Sequence, residues 1–367
     1  MIEHTSTLHR EAIKGEMLMK QVYSDFIQFR GNHYDFGYMQ GELLKDSPIL
    51  PNRIKHWTSK RKRYFTINEK ESIQLLNKFI PGMLAEINGL ADALQWRTED
   101  ALREFGGHYV EYGRSGCSIL AGSQYLIRNY DSHPGSYEGR YMIYQPTDTG
   151  YAVIGPSMQI TGRIDGINEK GLAMGYNFIN RVGSGDGFIC NMIGRMILET
   201  CANVEEAIDL LKEIPHRTSF SYVLLDPSGE AFVVEATPRS VIARKSNIST
   251  NHFEILKEEN RYQMDESIQR KQNIEKQQGN HSNVYEAFRI LNDRDKEIFS
   301  TKYNAWSGTL HTAAYLPNER KAWFALGSDR MPVIIDLESF LKGEKLNLKK
   351  IIGKLDYDTP FINMELL

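Results

Sequence analysis

Cys117 stands in the run Arg114-Ser115-Gly116-Cys117-Ser118-Ile119-Leu120, with Arg128 and Asp131 following in Arg128-Asn129-Tyr130-Asp131. A thiol that follows glycine and opens a short apolar strand reads as a masked nucleophile. If the Gly116–Cys117 bond is cut, Cys117 gains a free α-amine beside its thiol, and one residue then holds both nucleophile and general base. The reference pKa of an α-amine is about 8, so a useful unprotonated fraction exists near neutral pH to take the thiol proton. A nearby cation favours a thiolate, and Arg128 is the nearest candidate, on the strand expected to pair with the one that Cys117 opens. Asp131 would hold the α-amine by a charge-assisted hydrogen bond. Acyl transfer also needs donors aimed at the oxyanion. Asn177 closes the small-residue strand Gly171–Phe178, and Asn251 follows another strand in Ile248-Ser249-Thr250-Asn251-His252-Phe253. The residues alone rank neither asparagine above the other.

Each of these residues also has a plainer reading. A cysteine in an apolar strand is ordinarily a small buried hydrophobe. Cys190 and Cys201 lie on apolar helical stretches and read as core. Arg128 and Asp131 read equally as a surface ion pair of little worth. The ten histidines show no metal spacing, and His252 and His311, at strand ends, read as structural or solvent-facing.

The elements that must position Cys117 change character at that residue. Before it, the pattern is mainly helical: Ile73, Leu76, Phe79, Ile80, Leu84, Ile87, Leu90 and Leu94 recur at helical spacing. Asn68 and Glu71 have capping-box spacing, Pro81-Gly82 should divide the helix, and a short helix is expected over 98–105. After it come strands over 117–121, 124–129, 140–146, 150–155 and 171–178. Helices follow over 188–200 and 203–213, then paired strands over 219–226 and 230–236 around the turn Asp226-Pro227-Ser228-Gly229. The charged, Gln-rich stretch 254–281 reads as a helix running into a loop. A helix over 283–293 and a hairpin of 306–315 with 320–327 close the pattern. This order favours a layered α+β sandwich over a parallel βαβ fold.

Composition narrows the function further. The chain has 367 residues, 41% hydrophobic and 25% charged, with a net charge of -3, which describes an ordinary globular protein without a polyanion-binding surface. The basic run 55–63 reads as a solvated face. Three cysteines make no disulfide framework and no Cys/His cluster has metal spacing. The polar N-terminus lacks a secretory apolar region and no run is long enough for a membrane span, so a cytoplasmic location is expected. No nucleotide-phosphate loop is present.

The motifs together resemble the acyl-CoA:6-aminopenicillanic acid acyltransferase family of self-processing acyltransferases and amidohydrolases. More distantly they are similar to choloylglycine hydrolases and penicillin V acylases. Phe29–Glu42, with Gly31, Tyr34, Gly37 and Gly41, resembles the family's N-terminal G-x-x-Y-x-x-G-x-x-x-G segment, and Ile80–Leu94 the helix that follows it. Gly116-Cys117-Ser118 matches the processing site and Arg128-Asn129-Tyr130-Asp131 the strand-end motif. The resemblance implies that Cys117 is the nucleophile, that Arg128 supports it, that Asp131 contacts its α-amine, and that Asn177 and Asn251 serve the oxyanion. Asn260-Arg261-Tyr262 is similar to the distal arginine motif, which makes Arg261 a candidate for network support. Ser307–Thr312 resembles the late structural strand. Ser118 stands where threonine is common in the family. The 116 residues ahead of Cys117 favour the acyltransferase-like branch, whose cysteine is exposed by internal cleavage.

The implied fold is an αββα four-layer sandwich of the N-terminal nucleophile hydrolase type, residues 117–367. A helical prosegment, residues 1–116, would be retained after cleavage. The implied activity is attack by Cys117 on a linear amide of a small N-acyl compound, without metal or bound cofactor, and with acyl-CoA as an optional co-substrate. No nucleic-acid or membrane partner is expected, and a homo-oligomer is compatible with the sequence. Two alternatives stand beside this reading: an unprocessed binding protein that keeps the fold, and an acyl-CoA-dependent N-acyltransferase with little hydrolase activity.

Overall fold

The computed structural model describes residues 19–58, 68–108, 116–179, 185–261, 264–279, 283–305 and 308–364. The stretch ahead of Cys117 begins with β1 (Lys20–Gly31), then α1 (His33–Lys45), α2 (Ile49–Thr58), α3 (Glu69–Phe79), α4 (Met83–Leu94) and α5 (Thr98–Phe105). Pro81-Gly82 divides α3 from α4 as its chemistry requires. Asn68 caps α3, its side-chain oxygen accepting from the Glu71 amide at 3.2 Å. β1 is a departure from the helical expectation for this stretch. Its Val22, Ser24 and Phe26 are buried in alternation, which is the period of a strand with one face covered.

From Cys117 onward come β2 (Ser118–Ala121), β3 (Leu126–Ser132), β4 (Arg140–Pro146), β5 (Val153–Met158), β6 (Gly162–Arg163), β7 (Asp165–Asn168) and β8 (Ala173–Phe178). Two helices follow, α6 (Cys190–Thr200) and α7 (Val204–Glu213), then β9 (Phe220–Leu225), β10 (Phe232–Ala236), β11 (Val241–Lys245) and β12 (Ile248–Ser249). The last elements are α8 (Met264–Gln277), α9 (Val284–Asn292), β13 (Gly308–Leu316), β14 (Lys321–Leu326), β15 (Val333–Asp336), α10 (Leu337–Leu341) and β16 (Lys350–Leu355). Residues 306–307 of the expected hairpin, 280–282 of the expected loop and 59–63 of the basic run lie outside the described residues.

The strands form two sheets. The larger has the order β11-β10-β9-β8-β7-β5-β4-β1-β16, with β6 paired to β5; the smaller has the order β12-β2-β3-β13-β14-β15. Neighbours are antiparallel except β1 and β4, which run parallel. Helices α6 and α7 cover the outer face of the large sheet, and α8 and α9 cover the small one. That makes an αββα sandwich. Strands such as β9 are buried at every position because a helix lies on one face and a sheet on the other. Between the sheets Gly175 leaves room for the small sheet's side chains. A Cβ there would sit 3.1 Å from both Arg128 Cδ and Ile119 Cδ1.

Buried charges tie the N-terminal helices to the core. Arg195 on α6 lies between Glu86 of α4, at 2.8 Å, and Glu199 of its own helix. His33 at the start of α1 places Nδ1 2.8 Å from Asp148 and Nε2 3.4 Å from Glu199. Gln40 donates to Glu86 at 2.7 Å and accepts from Arg140 at 3.1 Å. Helices α1 and α4 meet backbone to backbone: a Cβ on Gly37 would fall 1.9 Å from the Glu86 carbonyl oxygen, and one on Gly89 2.1 Å from that of Tyr34. This contact accounts for Gly37 and for Gly41, where a Cβ would fall 2.5 Å from that of Ala93.

Candidate active site

The site is assembled at the start of β2. β2 pairs with β3 on one side, Ser118 opposite Asn129 and Ile119 opposite Arg128. It pairs with β12 on the other, Ser249 opposite Ile119. Extending these registers sets Cys117 between Tyr130 and Asn251, and sets the Gly116–Cys117 bond against Asp131. Three separate segments thus meet at Cys117, whose side chain is buried.

Alternation along β3 sends Arg128 and Asp131 to opposite faces of the small sheet. Arg128 faces inward, between the sheets, and is fully buried. Its Nη2 lies 3.6 Å from Cys117 Sγ and donates to the Tyr176 carbonyl at 2.6 Å. Its Nη1 donates to the Ile164 carbonyl at 3.1 Å and to Asp165 Oδ2. The reading of Arg128 and Asp131 as one surface ion pair is therefore corrected: both are buried, and the carboxylate paired with Arg128 is Asp165.

Asp131 faces outward, beneath α8. Oδ1 accepts from Thr309 Oγ1 at 2.6 Å, while the buried Oδ2 has no hydrogen-bond partner. Burial pushes the Asp131 carboxyl up to about 7, against the opposing pull of Arg270, Thr309 and Arg128. Moving a carboxyl from its ordinary 3.8 to about 7 corresponds to roughly 4 kcal/mol against its ionised form. Because the folded pKa lies above the unfolded one, the native state holds the proton more tightly between those values. Stability is lost as pH rises through that window. In a Cys117→Ala background, which keeps the chain intact, Asp131→Asn is expected to flatten the fall in unfolding free energy between about pH 4 and pH 8 by a few kcal/mol. Denaturant titrations across that range measure it, and an unchanged slope would show that Asp131 is not the group responsible.

The two asparagines lie at strand ends in the two facing sheets, Asn177 on β8 and Asn251 just after β12. Asn177 Nδ2 donates to Ser249 Oγ at 3.1 Å, and its buried Oδ1 is unpartnered. Asn251 Nδ2 donates to the Phe178 carbonyl at 2.8 Å, and its backbone amide donates to Ser267 Oγ at 2.7 Å. Each amide nitrogen carries two N–H groups, and these bonds fix both side chains in place.

Arg261 is not brought to Cys117. It is exposed on the coil after Asn260, whose side chain closes a loop by bonding both backbone groups of Phe253 at 2.8 Å. The arginine that reaches the site is Arg270 on α8. Its Nη1 donates to the Cys117 carbonyl at 2.6 Å and to Ser118 Oγ at 2.9 Å, and its Nη2 donates to Asn251 Oδ1 at 2.8 Å. Ser267, Arg270 and Ile274 share one helical face, and that spacing within a charged stretch was the available signal. His311 is also not solvent-facing: it is fully buried, with Nε2 3.2 Å from Asp165.

Among the described residues no group of three or more His, Cys, Asp or Glu could hold a metal ion, and no helix is long and apolar enough to cross a membrane.

Two facing sheets with helices outside form the four-layer αββα arrangement that the sequence leads one to expect. Residues 120–331 match the model of the acyl-coenzyme A:6-aminopenicillanic acid acyl-transferase family, more than half of the chain, and the chain belongs to that family. The family is named for an acyl-transfer activity. Similar solved structures include penicillin V acylase from Agrobacterium tumefaciens, 15% identical with a TM-score of 0.42, covering 61% of this chain and 86% of that one. A mutant conjugated bile acid hydrolase from Clostridium perfringens is 14% identical, TM-score 0.38, covering 67% and 98%. The Caenorhabditis elegans ortholog of N-acylethanolamine-hydrolyzing acid amidase is 12% identical, TM-score 0.38, covering 55% and 92%. No curated protein sequence matches the chain.

Proposed function

We propose that the chain cuts its own Gly116–Cys117 bond and that Cys117, freed as an N-terminal residue, attacks a linear amide of a small N-acyl compound. The observation that carries this reading is the pairing around Cys117. A buried guanidinium lies 3.6 Å from the thiol sulfur, and a buried carboxylate oxygen without a partner lies on the strand that flanks the bond to be cut. An α-ammonium released at Cys117 is the donor that Asp131 Oδ2 lacks.

In self-cleavage the thiol attacks the Gly116 carbonyl, the C–N bond breaks, and the thiol proton ends on the released amine. Water then hydrolyses the thioester to a Gly116 carboxylate and regenerates the thiol. In turnover the α-amine takes the thiol proton, the sulfur bonds the substrate carbonyl, and the proton passes to the leaving amine. Asn177 and Asn251 serve the oxyanion. Arg270 ties the Cys117 carbonyl, Ser118 and Asn251 into one unit, the network role that the sequence reading gave to Arg261. Water or a second amine then takes the acyl group, and acyl-CoA is a compatible donor.

Denaturing mass spectrometry of the purified wild type and of Cys117→Ala tests the reading. Wild type should give two fragments, residues 1–116 and 117–367, and the variant one intact chain. A wild type that stays intact on prolonged incubation would favour a binding protein with this fold.

A further inference from the structure

The environment of Arg128 extends well beyond the thiol. Its guanidinium crosses from the small sheet to the large one and meets Asp165 at the first residue of β7. Asp165 is fully buried, and each of its oxygens is engaged: Oδ2 by Arg128 and by His311 Nε2 at 3.2 Å, Oδ1 by the Tyr315 hydroxyl. His311 Nδ1 lies 2.9 Å from the Tyr137 hydroxyl, which donates to Tyr141 at 3.2 Å. Every side chain in this chain of contacts is buried. The rings of Tyr130 and Tyr176 flank the guanidinium, with centroids 4.9 and 5.0 Å from Cζ.

We propose that Asp165, held by His311 and Tyr315, is the positioning residue of the site: it fixes which guanidinium nitrogen faces Cys117 and sets how much positive charge reaches the sulfur. This rests on the reading of Cys117 as the nucleophile. Nη1 is spent on Asp165, so Nη2 is the nitrogen turned toward the thiol. A carboxylate directly behind the guanidinium also cancels part of its field at the sulfur. Burial would raise the Asp165 carboxyl, but Arg128 and His311 hold it below its ordinary value, so it is ionised at working pH. Burial likewise holds His311 below the usual imidazole range, so a neutral imidazole donates to Asp165 from Nε2. The charged and titratable groups around Cys117 are Arg128, Tyr130 and Asp131 of β3, Asp165 of β7, Tyr176 of β8, His311 and Tyr315 of β13, and Arg270 of α8. Within this set Asp165 is the carboxylate bonded directly to Arg128.

The test measures thiolate formation on the intact chain by far-ultraviolet absorbance, as the difference from Cys117→Ala in the same background, alongside the self-cleavage rate against pH. Asp165→Asn keeps an acceptor for Nη1 and removes the charge. Thiolate formation, and the acid limb of the cleavage rate, should move to lower pH by about one unit. Asp165→Ala removes the anchor, and cleavage should slow on the order of a hundredfold as Arg128 leaves its place. Tyr315→Phe, which keeps the ring in the core, strips a donor from Asp165 and should move thiolate formation the opposite way, to higher pH. A merely structural Asp165 would lower stability in these variants and leave the pH of thiolate formation where it is; that result overturns the proposal. Should Asp165→Asn fail to fold, the Tyr315→Phe shift alone decides. Absence of cleavage in the wild type, with the thiolate shifts present, would overturn the self-processing reading and leave the role of Asp165 intact.

Discussion

Arg128→Met should abolish self-cleavage and cost about 3–5 kcal/mol of stability, the usual penalty for removing one partner of a buried ion pair. Two consequences combine in that single change. The sulfur of Cys117 loses the cation 3.6 Å away, and Asp165 is left as a buried carboxylate facing only His311 and Tyr315. The carbonyls of Ile164 and Tyr176 lose a donor as well. The two consequences separate in the double variant Arg128→Met/Asp165→Leu. Removing both charges should restore a large part of the stability, because a well-packed apolar pair often equals or exceeds a buried ion pair. It should restore none of the cleavage. Denaturant unfolding and mass spectrometry read the two effects independently. Cleavage by the double variant would mean that Arg128 only fills space.

The second large effect is expected far from Cys117. Gly37→Ala and Gly89→Ala each drive a methyl group into the backbone of the partner helix, at 1.9 and 2.1 Å from a carbonyl oxygen. Real Cβ atoms do not approach so closely, and backbone cannot rotate away as a side chain can. Helices α1 and α4 must therefore separate. Overpacking costs about 1–3 kcal/mol where side chains can yield, and we expect about 3 kcal/mol or more here. The separation also pulls on Glu86, whose carboxylate holds Arg195 at 2.8 Å and Gln40 at 2.7 Å. Leu43→Ala on the exposed side of α1 is the control and should change stability by no more than about 0.5 kcal/mol. Thermal melts of the three variants check this; equal melting temperatures would show that the helices part at little cost.

What the sequence made legible follows from the range of the forces involved. Helix ends were readable because they are local. The Asn68 cap and the Pro81-Gly82 break each depend on residues within one turn. Cys117, Arg128 and Asp131 were readable as a group because one tight turn joins β2 to β3. Asp165 was not, because its partners Arg128, His311 and Tyr315 come from two strands of the opposite sheet. Its local signal, an acid between Ile164 and Ile167, was weak. Arg261 was named on motif likeness alone, whereas Arg270, which bonds the Cys117 carbonyl and Asn251, shares a helical face with Ser267. β1 was missed for a similar reason. Its neighbours, β4 and β16, lie more than a hundred and more than three hundred residues away, and only the alternation of Val22, Ser24 and Phe26 announced it.

The place of β1 in the large sheet has a consequence for what cleavage would produce. β4 bonds it along one side and β16 along the other. A cut at 116–117 therefore would not shed the first segment. It would turn a single chain into a two-component complex in which one component supplies an interior strand of the other's sheet. Unfolding would change from a unimolecular event to a dissociation, so the melting temperature of the cut form would rise with protein concentration while that of Cys117→Ala would not. Reassembly after dilution would be second order, and the two pieces would have to find each other before the sheet could close. Such a molecule folds once, as one chain, and is kept together afterwards largely by the slowness of coming apart.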